Sequence, residues 1–452
     1  MGKLFGTDGI RGLVGQDLSP QLAFRAGLAA GEILANKEKS GKRGQVVLGR
    51  DTRISGPMLA SALASGLAAM GLDVIDLGVI PTPGVAYLVR KYQADLGVVI
   101  SASHNPYPYN GIKFFSSQGY KLDDRIEEQM EALILDPDWE GNFAPVEDLG
   151  QIQVSHQGKK DYEAYLLSLL EGADLSQLKI ALDLGNGALY HIAKEVLTKA
   201  GAQLEVIHQE PNGLNINDAC GSTSPKEIQD LVLKTGADMG FSFDGDADRI
   251  IAVDEKGRQV DGDHILAICA RQLKDQGLLA GDGLVGTVMT NIGLDRYLED
   301  LGLKIIKAKV GDRYVLEEML AGGYVLGGEQ SGHIIFLNNN TTGDGLATGL
   351  HLIKVALEYK ESLGQLNDLM VSYPQVLVNA QVANHKKQAY LDNETIKEAI
   401  KALEDKFGKT GRVVIRPSGT EPLVRVMIEG QDQEMLEKEA RRLADLIEKE
   451  LS

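Results

Sequence analysis

Three α/β units followed by a smaller α+β unit are what the 452-residue sequence predicts, on three grounds. Apolar strand-like runs alternate with helix-like stretches, each round closes on a polar loop rich in Gly, Ser or Asp, and the pattern changes after about Asn367. Strands separated by helices imply parallel pairing through crossover connections. A chain of this length also exceeds one ordinary hydrophobic core, so about three or four domains are expected.

In the first round, Ser19-Pro20 opens a helix running to about Lys37, with Ser as N-cap and Pro at the first helical position. Val46-Val47-Leu48 reads as a strand, Gly56 to Met70 as a helix stopped by Gly71, and Asp73 to Leu77 as a strand before a Pro81-Thr82-Pro83 turn; strand Leu96 to Ile100 follows. The second round has strand Lys179 to Leu184, a helix to about Lys199, strand Leu204 to His208, a helix opened by Ser224-Pro225, and strand Met239 to Phe243. The third runs from strand Leu284 to Met289 through a helix, strand Ile305 to Val310, helix Tyr314 to Leu320 and strand Tyr324 to Leu326. The remainder reads as strand, helix, two strands around Arg416 to Thr420, and a charged terminal helix. The expected divisions are 1–153, 154–254, 255–366 and 367–452. Ligands of open α/β sheets bind beyond the carboxyl ends of the strands, so the three closing loops are candidates to face one shared cleft.

Composition narrows the function classes. With 43% hydrophobic and 24% charged residues the chain is an ordinary packed globular protein. A net charge of -18 argues against nucleic acid or an anionic membrane as partner, since both favour a broad basic surface. An anionic small substrate would need a local cluster of Arg and Lys. Cys220 and Cys269 have no CxxC spacing and read as reduced thiols. The opening Met1 to Asp8 lacks a signal-peptide pattern and no apolar run approaches membrane-spanning length, so a cytoplasmic location is expected.

Each closing loop suggests a chemistry. Asp244, Asp246 and Asp248 alternate, which in an extended segment sets their carboxylates on one side, where three anions repel unless a cation sits among them. Hard oxygen ligands suit Mg²⁺. A calcium loop would use the same aspartates with Glu255 at the twelfth position, but its sixth position needs Gly and holds Arg249, and strand-like segments flank it. Ser103, in Ser101-Ala102-Ser103-His104-Asn105-Pro106, follows a buried-type strand. A Ser-His hydrolase is disfavoured because adjacent residues of an extended chain point apart and the G-x-S-x-G elbow is absent. Asn110-Gly111-Ile112-Lys113 adds a turn and a cation able to reach the same point. Arg416-Pro417-Ser418-Gly419-Thr420-Glu421-Pro422, with Arg425 beyond, combines guanidiniums, hydroxyls and a Gly in a way that suits a phosphate dianion. A plain turn is the alternative for both the serine and the arginine loop. In Gly328 to His333, the carboxylate of Glu329, the hydroxyl of Ser331 and the imidazole of His333 together suit sugar hydroxyls or an amine. Tyr190 stands where a dinucleotide fingerprint needs its third Gly, and no Walker A sequence occurs, so neither NAD nor ATP is indicated.

Taken in order, Phe5-Gly6-Thr7-Asp8-Gly9-Ile10-Arg11-Gly12, the Ser101 to Pro106 loop, the Asp244 to Arg249 loop, Glu329-Gln330-Ser331 and the tail Arg416 to Gly430 resemble the α-D-phosphohexomutase superfamily over essentially the whole chain, and its hexosamine-phosphate branch most closely. The resemblance implies four domains around a central cleft, three α/β with mixed sheets and one α+β. It implies that Ser103 carries the transferred phosphate and that one Mg²⁺ per chain is held by that phosphate with Asp244, Asp246 and Asp248. By the same resemblance Glu329, Ser331 and His333 contact the sugar; Arg416, Ser418, Gly419, Thr420 and Arg425 hold the non-reacting phosphate; and Arg11, Lys113, Arg249 and Lys309 line the reacting end, with Lys113 and His333 as candidate general bases. A phosphate would move between the 6- and 1-positions of a hexosamine phosphate through a 1,6-bisphosphate, with glucosamine or glucose 1,6-bisphosphate as activator, feeding amino-sugar nucleotide and cell-wall precursor synthesis. A monomer or homodimer is expected. One departure stands out: relatives commonly carry an acidic residue before the Asn-Gly of the serine region, and here that place is Tyr109. Rival readings are a glucose or mannose phosphate mutase of the same superfamily, a phosphatase that forms phospho-Asp and releases free phosphate, and a sensor that binds without turnover.

Overall fold

Four sheets organise the chain, as a computed structural model that describes residues 4–6, 8–34, 43–418 and 421–451. In the first, Leu96–Ile100, Gln45–Arg50, Asp73–Val79 and Ile152–Val154 run parallel, the arrangement the strand and helix alternation implies. Its other edge is antiparallel: Tyr109–Ser116 pairs with Leu96–Ile100 and Gly9–Leu13 pairs with Tyr109–Ser116. The second sheet is likewise parallel through Met239–Phe243, Lys179–Asp183 and Gln203–Ile207, with Ile250–Asp254 antiparallel beside Met239–Phe243. The third has Lys304–Ala308, Gly283–Thr287 and Leu326–Gly328 parallel and Ile334–Phe336 antiparallel. All three are therefore mixed. In each, the antiparallel strand returns directly from a loop that carries candidate site residues, so the loop is pinned at both ends by one sheet. The fourth sheet is wholly antiparallel, with Leu423–Glu429 between Gln375–Gln381 and Arg412–Pro417.

Local chemistry explains most boundaries. The helix Pro20–Leu34 starts as expected, with the Ser19 hydroxyl accepting from the Leu22 amide at 3.1 Å; the expectation that it reaches Lys37 lies outside the described residues. It crosses Gly56–Ala69 at close range: a Cβ on Gly27 would lie 2.4 Å from the Leu63 carbonyl oxygen, and one on Gly66 would lie 2.3 Å from that of Phe24. The Pro81-Thr82-Pro83 turn is instead the start of the helix Thr82–Tyr92. Proline in the first helical turn removes no intrahelical hydrogen bond, so the signal taken for a turn is equally a helix start. The strand placed at Tyr324 to Leu326 begins later, at Leu326–Gly328, and runs straight into the Glu329 loop.

One continuous apolar core joins the first three units, from Val47 and Val99 through Tyr162 and Leu166 to Phe241, Phe243 and Leu350. The fourth unit has its own core, built from Val424, Val426, Leu436 and Leu443 among others. It meets the third through polar contacts: Glu429 accepts from the Ile292 amide at 2.8 Å, and Asn291 donates to the Tyr373 carbonyl at 2.9 Å. No helix among the described residues is long and apolar enough to cross a membrane.

Candidate active site

Strand Leu96–Ile100 delivers Ser103 into a tight turn, where its φ of 51° places a non-glycine residue in the left-handed region. The chain is thus not extended at this point, and the reason given for separating Ser103 from its neighbour does not hold: His104 Nδ1 lies 3.4 Å from Ser103 Oγ. The ring is occupied otherwise, with Arg249 at 3.0 Å from Nδ1, and burial together with the Arg249 and Arg11 charges lowers the His104 pKa to about 4. Ser103 Oγ donates to Asp244 Oδ2 at 2.6 Å and is almost wholly buried.

Asp244, Asp246 and Asp248 lie between strands Met239–Phe243 and Ile250–Asp254 in a turn rather than an extended segment: the Ala247 amide bonds to the Asp244 carbonyl at 3.1 Å, and Ala247 is itself left-handed. The turn still converges the three carboxylates. All are buried, and one oxygen from each lies within 4.8 Å of the others. Burial, then Asp248 and Asp246, push Asp244 well above the ordinary carboxylate range. Asp246 Oδ1 and Asp248 Oδ1 are buried without any hydrogen-bond partner. Such orphaned anionic oxygens are costly unless a cation meets them, so this hard-oxygen set fits Mg²⁺.

Lys113, on strand Tyr109–Ser116, closes this floor from the other side, 2.9 Å from Asp246 Oδ2, 2.9 Å from Asp8 Oδ2 and 3.7 Å from Asp248 Oδ2. Burial opposes its charge, but the three carboxylates prevail and hold Lys113 well above its usual value. Its ammonium is held in place by three carboxylates at once. His333, the other candidate base, is also buried. Its Nε2 accepts from the Gly343 amide at 3.0 Å, which leaves the ring proton on Nδ1 facing Asp248 at 3.7 Å. Burial opposes protonation of His333, while Asp248 and Asp312 raise its pKa.

Above this floor opens a cleft of about 490 Å³, within the size range of small-molecule sites. Arg11, Arg249, Lys309, Glu329, His333, Arg416, Ser418 and Arg425 all line it, so residues from four sheets share one space. Ser103, Lys113, Asp244 and Asp246 are buried below it, and Asp248 reaches both. Ser331 is exposed and lies outside this lining. Gly419 and Thr420 lie outside the described residues. Glu329 Oε1 accepts from the Gly311 amide at 2.9 Å. On the far wall, Arg416 and Arg425 sit directly opposite each other on antiparallel strands. Like charges so placed repel. Burial, then Arg425, lower the Arg416 pKa, and Arg425 Nε is buried without a partner. An anion between them relieves both. Tyr109, the departure from the acidic pattern, is 38% exposed at the start of its strand, and Asn110-Gly111, expected as a turn, continues that strand opposite Gly12 and Arg11.

Several participants carried no signal in the sequence. Asp8 meets Arg11 at 2.7 Å as well as Lys113 and Lys121, and Lys121 bridges to Asp312 of the third unit. Thr82 donates to Asp246 Oδ2 at 2.7 Å. Asp8 lies in the opening motif three residues before Arg11, and it is the one of these partners that spacing alone could find.

A serine, an acidic metal loop, a sugar-sized cleft and an arginine wall contributed by four units define a phosphosugar-transforming enzyme. Family models for phosphoglucomutase/phosphomannomutase match throughout: alpha/beta/alpha domain I over residues 2–140, domain II over 161–257, domain III over 261–373 and the C-terminal domain over 377–446. The chain belongs to the phosphoglucomutase/phosphomannomutase family. Among its relatives, the phosphoglucosamine mutase of Alkaliphilus oremlandii is 54% identical, covering 100% of both chains. A phosphoglucomutase/phosphomannomutase family protein from Burkholderia thailandensis superimposes with a TM-score of 0.81 at 26% identity, covering 99% of this chain and 97% of that one. The Aspergillus fumigatus N-acetylphosphoglucosamine mutase, solved with GlcNAc-6P and magnesium, shares the fold with a TM-score of 0.70 at 17% identity, covering 99% and 96%.

Proposed function

We propose that the protein interconverts glucosamine 6-phosphate and glucosamine 1-phosphate through a phosphorylated Ser103 and a sugar 1,6-bisphosphate. The observation that carries this reading is Ser103 Oγ at 2.6 Å from Asp244, beneath a cleft whose opposite wall holds the facing pair Arg416 and Arg425. A nucleophile at one end and an anion clamp at the other suit a substrate with a phosphate that must react and one that must not. The full-length relatives named phosphoglucosamine mutase support the amino sugar.

Arg416, Ser418 and Arg425 hold the non-reacting phosphate, and Glu329 and His333 orient the ring. Phospho-Ser103 passes its phosphoryl group to the free hydroxyl of the monophosphate. The bisphosphate turns over in the cleft and returns its other phosphate to Ser103. Asp244, Asp246, Asp248 and the phosphoserine would hold one Mg²⁺, which would supply positive charge at the transferring group. Lys113, Arg11, Arg249 and Lys309 supply the remaining positive charge at that end, and a 1,6-bisphosphate from solution restores enzyme that has lost its phosphate. Catalysis of phosphoryl transfer rests mainly on positioning and charge, which fits a floor whose cation is fixed. The test is a coupled assay of glucosamine, glucose and mannose phosphates, with intact-mass analysis of the purified protein. Turnover fastest on glucosamine phosphate and a single phosphate at Ser103 are expected. Phosphate at Ser101 instead, or on an aspartate, refutes the mechanism.

A further inference from the structure

Arg53 heads the largest fully buried side chains among the described residues, yet it touches neither the cleft nor the metal aspartates. Its charge is matched by Asp51, with Nε 2.9 Å from Asp51 Oδ2. Every other hydrogen bond of its guanidinium goes to the backbone of the serine loop: to the carbonyls of Pro106 at 2.7 Å, Ser103 at 2.9 Å and Asn105 at 2.7 Å. Asp51 Oδ2 also accepts from the Ser101 hydroxyl at 2.7 Å, and Ser101 Oγ in turn accepts from the Ser103 amide at 2.9 Å. Both the amide and the carbonyl of the nucleophile are therefore tied to one buried ion pair.

A second grip comes from another unit. Asn217 Nδ2 donates to the same two carbonyls, Ser103 at 2.9 Å and Asn105 at 3.1 Å. Asn217 is itself held in the left-handed region with its amide on the Gly185 carbonyl at 3.0 Å, beside the strand that precedes the second-unit loops. Gly245 of the aspartate loop completes the wedge: a Cβ there would lie 2.7 Å from the Ser103 carbonyl oxygen and 3.0 Å from Asn217 Nδ2. The Ser103 carbonyl is thus held between units, and the Ser103 side chain is turned the other way, toward Asp244.

From this geometry we infer that Arg53 and Asn217 are positioning residues for phosphoryl transfer, setting the distance between the nucleophilic oxygen of Ser103 and the aspartate loop through the Ser103 carbonyl; the inference rests on the mutase reading above. Left-handed serine is strained, and four donor contacts on two carbonyls are what keep it there. Neither residue lines the cleft, so their loss acts on kcat and not on KM.

The test compares Arg53→Lys, Asn217→Ala and Ser103→Ala with wild type at saturating Mg²⁺ and glucose 1,6-bisphosphate, using glucosamine 6-phosphate as substrate. Arg53→Lys keeps the charge but not the planar fork, and a displacement of about 1 Å at a reacting atom can cost about 100-fold in rate, which is the fall in kcat expected. Asn217→Ala removes the lesser grip and lowers kcat about tenfold, with KM within about threefold of wild type in both. A merely structural role would lower the folded fraction instead. Single-turnover transfer from isolated phosphoenzyme to sugar is therefore measured per phosphorylated Ser103, where slowing by the same factors supports the inference. Asn217 is only partly buried, so its variant decides the matter if Arg53→Lys does not fold. Wild-type single-turnover rates in Asn217→Ala, with Ser103→Ala inactive, overturn the clamp and leave the mutase reading standing. Full activity in Ser103→Ala overturns both.

Discussion

The two ends of the cleft handle charge in opposite ways. At the floor, Lys113 is almost wholly buried and meets three carboxylates, Asp8 lies between Arg11, Lys113 and Lys121, and each cation is matched inside the protein. At the far wall, Arg416 and Arg425 face each other across paired strands, with Glu421 3.1 Å from Arg425 and Glu329 acting on Arg416 from the facing loop. The cations of the floor are matched before any anion arrives, although two of its aspartate oxygens have no partner within the protein, and the wall is incomplete without an anion. Preorganised charge suits a reacting group, since it costs no reorganisation at the moment of transfer. Uncompensated charge suits binding, since the anion itself removes the repulsion.

The strongest break in this comparison is Ser103→Ala, expected to bring mutase activity to the detection limit in the coupled assay. Stability should change by only about 1 kcal/mol, the worth of one hydrogen bond, read from urea unfolding. Asp246→Asn comes next. Turnover should fall by about 100-fold, in line with loss of a group that stabilises transition-state charge, and the Mg²⁺ concentration for half-maximal rate should rise while KM for the sugar phosphate stays within about threefold. Near-normal turnover at low Mg²⁺ would remove the metal role from that carboxylate.

The wall should respond in the reverse sense. Arg416→Met should raise KM by roughly 10- to 100-fold, the equivalent of losing about 1.5–3 kcal/mol of charged hydrogen bonding. Relieving the Arg416 and Arg425 repulsion should leave the ligand-free protein as stable as before or a few tenths of a kcal/mol more so. Asp8→Asn at the floor should instead destabilise it by about 2 kcal/mol, below the roughly 3–5 kcal/mol of a fully buried pair because the Asp8 side chain is 23% exposed. Equal stability losses for the two variants would erase the contrast between the ends. The smallest effect is on sugar choice. Glu329 has one oxygen on the Gly311 amide, and a charge-assisted bond from the other to the 2-amino group is about twice as strong as a neutral one. Glu329→Gln should narrow the preference for glucosamine over glucose phosphate about tenfold, or about 1.4 kcal/mol. Equal losses on both sugars would assign Glu329 to a hydroxyl they share.

The same contrast marks what the sequence could and could not show. Met239–Phe243 was legible to the residue because five apolar or small positions sit between Asp238 and Asp244. The strand Tyr109–Ser116 was not, because its opening Asn110-Gly111 reads as a turn, and only the flanking strands Gly9–Leu13 and Leu96–Ile100 make it a sheet member. The aspartate loop and the arginine wall announce themselves locally, as clustered charge without local compensation. Lys121 and Asp312 do not: each is an ordinary charged residue until the first and third units bring them together. Arg53 is the extreme case, a buried arginine whose purpose is visible only in the carbonyls it holds.

The contact between Ser103 and Asp244 spans 141 residues of chain, and that separation is also an interval of time. At about 5–20 residues per second of synthesis, the serine waits roughly 7–28 s for its aspartate. Over that interval neither Asp246 nor Asp248 exists to meet Lys113. The first sheet can therefore reach its arrangement without them, on Val46, Leu48, Val98 and Ile100 packed against Leu59 and Leu63 and on its own pairs such as Asp8 with Lys113. The aspartates of the floor do not guide the early chain; they are fitted, late, onto a first sheet that has had time to fold.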